Sequence, residues 1–217
     1  AGEHVATIAD ESESAVDIWD VAQVLTHEAS WEPSGGDALN DVLDIAWIDD
    51  GRLLTVSRKS IMAWDVHPVR AIYQLQLDRL SAGVLSPGGK QLAISASDSI
   101  VVIEAATGNL LQRVDLPAAR NHRGLAFDPS GRLLAALGVS QLDLINVETG
   151  EAFDSFYVPS AGETVAWADQ EHVLVDGRHL FHVPTQMPVW TYIHNAQQIA
   201  HAAGWNWYLF GGRQNQS

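Results

Sequence analysis

The sequence predicts an all-β chain of four-stranded antiparallel blades arranged as a β-propeller, and three observations predict it. A turn of one form recurs as Asp49-Asp50-Gly51-Arg52-Leu53-Leu54, Ser86-Pro87-Gly88-Gly89-Lys90-Gln91-Leu92 and Asp128-Pro129-Ser130-Gly131-Arg132-Leu133-Leu134. The glycines at 51, 89 and 131 lie about 40 residues apart, the length of one four-stranded blade. Short apolar runs flank each turn, and some alternate with period two, as at 71–77, the pattern of a strand with one buried face.

The elements follow in chain order. Residues 4–8, 15–20 and a weak run at 24–26 match the second, third and fourth strands of a partial blade, 1–40. Blade 41–79 reads as strands at 42–47, 53–56, 60–65 and 71–77. Blade 80–120 has 83–85, 92–95, 100–103 and 110–114, and blade 121–161 has 124–127, 133–137, 142–145 and 152–156. Blade 162–196 has 164–167, 172–175, 179–183 and 189–192, with a turn Ala168-Asp169-Gln170-Glu171 that lacks the glycine. A last partial blade, 197–217, offers 198–203 and 206–210. These make twenty-one strands, one more than a five-bladed ring closed by a composite blade requires. Two closures fit: about five consecutive blades of a larger, seven-bladed ring, or a five-bladed ring whose end strands share a blade. An arc would leave strand edges for other blades or a partner to cover.

Two stretches read as loops. Residues 10–14 read as an acidic hairpin tip, and 28–40, containing Pro33-Ser34-Gly35-Gly36, as an insertion whose Trp31 either anchors it to the body or offers a partner contact.

At 217 residues and 47% hydrophobic, the chain is long and apolar enough to bury a sizeable core. It has no apolar run of membrane-spanning length and no signal-peptide pattern, so a soluble chain without membrane association is expected. The first residue is Ala rather than Met, which suggests a processed chain or an excised piece of a longer one. A net charge of −15 disfavours nucleic acid as a partner and favours a basic protein or peptide. The absence of cysteine removes disulfides, thiolate metal sites and Cys nucleophiles. Compartment is left open, with the cytoplasm as the working expectation.

The third strands end in a recurring position: Trp19-Asp20, Trp64-Asp65, Ile103-Glu104, Ile145-Asn146 and Phe181-His182. With the period and the four-strand order, this resembles a divergent WD-repeat propeller over essentially the whole chain. Only the first two units keep the Trp-Asp dipeptide, and no unit shows a clear upstream Gly-His pair. Thr107-Gly108 and Thr149-Gly150, which follow third strands, are also similar to the repeats of quinoprotein-type propellers. The resemblance implies a non-catalytic scaffold for protein–protein interaction, with connecting loops clustered on one face as the binding surface.

No catalytic, cofactor-binding or metal-binding constellation is expected. Gly-x-Ser-x-Gly, His-Glu-x-x-His and acidic calcium-loop motifs are absent, and a glycine-rich phosphate loop would need a helix to lead into. His179 and His182, three apart on a strand, point to opposite faces and do not converge on an ion. Trp19, Trp47, Trp64 and Trp167 read as packing between blades. Trp205, Trp207 and Tyr208, in the last partial blade, are the expected partner contacts, because aromatic residues dominate interface hot spots. The alternative is a quinoprotein- or lactonase-type enzyme with a cofactor or metal in the central channel. It needs ligands on several first strands, where Val84, Leu85, Leu125, Ala126 and Val165 stand instead.

Overall fold

The computed structural model describes residues 4–8, 15–20, 26–33, 42–57, 59–77, 80–96, 99–116, 122–159, 164–192, 196–202 and 205–210, with backbone alone at 43, 96, 196–202 and 205–210. These residues form an all-β chain of antiparallel sheets, each made of strands consecutive in sequence. The first sheet holds β1 (His4–Ile8), β2 (Val16–Asp20) and β3 (Thr26–Trp31). The second holds β4 (Val42–Asp49), β5 (Arg52–Ser57), β6 (Ser60–Val66) and β7 (Val69–Gln76). The third holds β8 (Ala82–Leu85), β9 (Gln91–Ala96), β10 (Ser99–Glu104) and β11 (Leu110–Asp115). The fourth holds β12 (Gly124–Phe127), β13 (Leu133–Gly138), β14 (Gln141–Asn146) and β15 (Glu151–Tyr157). The fifth holds β16 (Val165–Trp167), β17 (His172–Val175), β18 (His179–His182) and β19 (Met187–Thr191), and the sixth β20 (Ala196–Ala202) and β21 (Trp205–Phe210). No helix among the described residues is long and apolar enough to cross a membrane.

One expectation needs correction. The sequence places the last strand of the first unit at 24–26 and an insertion at 28–40, but the strand is β3, which takes in Glu28 and Trp31. Trp31 is half-buried, and its ring centroid lies 5.7 Å from that of Trp64. It packs on a core of Val16, Ile18, Val42, Leu53 and Val66, so Trp31 anchors to the body from within a strand, while residues 34–40 of the expected insertion lie outside the described residues.

Residue contacts part the chain into two compact units, Ala1–Ala96 with Val102–Leu111 and Ser97–Val101 with Gln112–Ser217, a division that cuts the third sheet. In the first unit, the core just named joins the first and second sheets. In the second, Ala126, Leu137, Leu142, Leu144 and Phe156 of the fourth sheet pack against Trp167, Val173, Val175 and Phe181 of the fifth. The buried Trp167 indole donates to the Ala126 carbonyl at 3.0 Å, satisfying the polar atom that so large an apolar ring brings inside. The four tryptophans read as packing residues divide by strand: Trp47 and Trp167 on first strands face cores, whereas Trp19 and Trp64 on third strands each donate to a threonine of the neighbouring strand, Thr7 and Thr55, at 3.0 Å.

The recurring turns share an oxygen acceptor at their start more consistently than a glycine. The Asp49 carboxylate accepts from the Gly51 N–H and from Arg52, whose hydrogen bond holds it below the usual carboxylate range. The Ser86 hydroxyl accepts from the Gln91 N–H, and Asp128 accepts from the N–H groups of Ser130, Arg132 and Leu133. In the fifth sheet, which lacks the glycine, Asp169 accepts from the N–H groups of Glu171 and His172. Burial pushes the Asp169 carboxyl upward, but those bonds and the His172 ring outweigh it and hold it low. Side-chain oxygens that bond to backbone N–H groups in this way close turns without help from glycine.

Candidate functional sites on the outer strands

The last strands of four sheets carry a geometry the sequence does not announce. Between β2 and β3 the register passes from Trp19↔His27 to Ile18↔Ala29, leaving Glu28 as an extra, bulged residue. The same slip leaves Ile72 bulged in β7, Phe153 in β15 and Val189 in β19. A bulge bends the strand and re-aims a side chain. Ile72, Phe153 and Val189 all lie among the exposed large apolar residues.

Three outer strands meet the link between third and fourth strands of the following sheet, two of them next to a bulge. Tyr73 on β7 donates its hydroxyl to the Ala105 carbonyl at 2.8 Å, and a Cβ built on Gly108 would stand 3.1 Å from the Tyr73 ring. Gln112 on β11 donates to the Thr149 carbonyl at 2.9 Å. Asp154 on β15 accepts twice from Gln186, at 2.9 and 2.8 Å. The Thr-Gly turns thus do more than reverse the chain: they seat one sheet on the outer strand of the one before.

The position equivalent to Tyr73 and Asp154 in the fifth sheet is Trp190, opposite Leu180 just across the register slip. Trp190 is 62% exposed, Met187 62% and Val189 51%, and every residue of β19 is exposed. A solvated tryptophan that follows two exposed apolar residues on one strand is the composition of an interface anchor.

A second cluster sits on the first and second sheets. His4 opens β1, Glu28 is the β3 bulge, and His67 lies in the turn joining β6 to β7. The His4 Nε2 lies 3.3 Å and the His67 Nε2 3.7 Å from the Glu28 Oε2, and all three atoms fall within 4.8 Å of one another. The two imidazole centroids are 5.3 Å apart. No short-range spacing joins these residues, and the reading of 28–40 as a loop concealed Glu28.

Several other polar groups among the described residues are engaged locally. His122, just before β12, and Asp143 on β14 form a buried pair at 2.6 Å. His179 contacts Thr191, while His182 contacts Thr185 and lies near Glu171 and His172, so the pair diverges as the strand period requires. A polar cleft of about 350 Å³ lined by Asp128, Arg132, Asn146 and Glu148 has its Asp128 and Asn146 oxygens taken by turn N–H groups. On first strands, Leu125 and Ala126 are buried and Val84, Leu85 and Val165 half-buried.

Trp205, Trp207 and Tyr208 lie on β21, opposite Ala202, Ala200 and Ile199 of β20; their side chains lie outside the described residues. The loops expected to supply a binding face, including 34–41, 117–121 and 160–163, also lie largely outside them. No protein-family model and no curated protein sequence matches this chain.

Proposed function

We propose that this chain is a non-catalytic, WD-repeat-like propeller that binds another protein, with β19 as a principal contact. The observation that carries this reading is Trp190: the position that in other sheets receives a neighbouring turn is here a 62% exposed indole. The partner presents a tight turn with a small residue and a free backbone carbonyl, the chemistry that Gly108, Ala105 and Thr149 offer at the internal junctions. A basic partner is favoured, because a net charge of −15 speeds encounter with positive surfaces. Trp205, Trp207 and Tyr208 are further contacts within this proposal.

Immobilised wild-type chain and its Trp190→Ala variant, both checked for native circular dichroism, test the reading. Proteins retained by the wild type should bind the variant at least roughly 30-fold more weakly, the loss expected of a central aromatic anchor. Equal retention by both, or turnover of a small molecule with no protein retained, overturns it.

A further inference from the structure

We propose that His4, Glu28 and His67 form a binding site for a divalent transition-metal ion of the zinc class, with two imidazole nitrogens and one carboxylate oxygen as ligands. Three features of the cluster point there together. First, the donor set is selective: paired imidazoles with a single carboxylate suit zinc, cobalt, nickel or copper, whereas magnesium and calcium prefer oxygen donors. Second, the spacing fits. Ligands at 2.0–2.2 Å from a tetrahedral ion stand about 3.3–3.5 Å from each other. The two nitrogen-to-oxygen separations of 3.3 and 3.7 Å bracket that value to within a few tenths of an ångström. Third, Glu28 is brought to the cluster by a bulge, a device that re-aims a side chain out of strict alternation. In the β7 and β15 bulges the equivalent residues are Ile72 and Phe153; a carboxylate appears only where two histidines face it.

The site has three protein ligands, which leaves one position of a tetrahedral ion for water or a partner's side chain. His4 and Glu28 belong to the first sheet and His67 to the second, so the ion ties two sheets of the same compact unit together beside the core formed by Ile18, Val42 and Val66. It occupies the junction that hydrogen bonds occupy at Tyr73, Gln112 and Asp154. This location, on an outer strand and a turn, separates it from the central-channel metal that a propeller enzyme would need on its first strands. It also departs from the expectation that this chain carries no metal-binding constellation.

The test uses the full chain without an affinity tag. Titration with Zn²⁺ in a calorimeter should give one ion per chain. Co²⁺ should give the visible absorption of a four- or five-coordinate nitrogen- and oxygen-ligated ion. Zn²⁺ at a hundredfold excess over Kd should raise the Tm by about 5–10 °C. Glu28→Gln, nearly isosteric and suited to retain the fold, and His67→Ala, in an exposed turn, should each weaken Zn²⁺ binding at least tenfold and abolish the Co²⁺ spectrum. His182→Ala, in the other histidine pair, should leave both unchanged. Absence of stoichiometric binding, or binding that survives Glu28→Gln and His67→Ala but falls with His182→Ala, overturns the proposal.

Discussion

Tyr73 concentrates much of the junction chemistry in one side chain. Its ring lies against Gly108 and its hydroxyl donates to the Ala105 carbonyl, so it spans from the second sheet to the third within one compact unit. Burial pushes its phenol up to about 12 from an ordinary value of 10.0. A phenol whose pKa is raised in the folded state binds its proton more tightly there than when unfolded. Its stabilising contribution is therefore complete below pH 10 and lost as pH rises from about 10 toward 12. Thermal melts between pH 9 and 12 should show a fall in Tm over that window which Tyr73→Phe lacks. The variant itself should start lower at neutral pH by roughly 1 kcal/mol, the cost of leaving the carbonyl unpaired. Parallel curves for the two proteins would contradict this role.

Among the elements, the recurring turns separate what glycine does from what the acceptor oxygen does. Gly89 has φ +68, and a Cβ built on it would stand 2.2 Å from the Ile48 carbonyl oxygen of β4, a backbone atom that cannot step aside. Gly51, its counterpart by sequence, has nothing within 4 Å of such an atom. Gly89→Ala should therefore cost at least about 2 kcal/mol in denaturant unfolding, and Gly51→Ala should stay within about 0.5 kcal/mol. Equal costs would refute the distinction. Both glycines belong to the same repeated motif, which made the strands around them legible: apolar runs bounded by a turn every forty residues leave little choice of register. Outer strands resist that reading where their side chains face solvent: β7 still alternates toward its end, whereas in β19 every residue is exposed and alternation has nothing to mark. β3 is the clearest case, with polar His27 and Glu28 and a bulge at its centre. Its misplacement also hid the histidine–carboxylate cluster, whose three members come from β1, β3 and a turn of the next sheet. The acceptor oxygens of Asp128 and Asp169 were present in the sequence, but their common role emerges only from the N–H groups they meet.

For the whole molecule, the repeated junction is the unifying rule: an outer strand receives a turn from the following sheet, by an aromatic ring at Tyr73, an amide at Gln112 and a carboxylate at Asp154. The chemistry of the seat varies while its place is constant, which is why no residue motif marks it. Under our proposal the exposed seat at Trp190 is where this rule extends to a second protein. Site-specific photo-crosslinking tests that most directly. A photoreactive residue at Val189 on β19, and a control at the exposed Lys59 on the second sheet, are irradiated with cell extract and the adducts identified by mass spectrometry. The account predicts a discrete polypeptide adduct from position 189 that disappears when Trp190→Ala is added, and none from position 59. No adduct at 189, or the same adducts from both positions irrespective of Trp190, would contradict it.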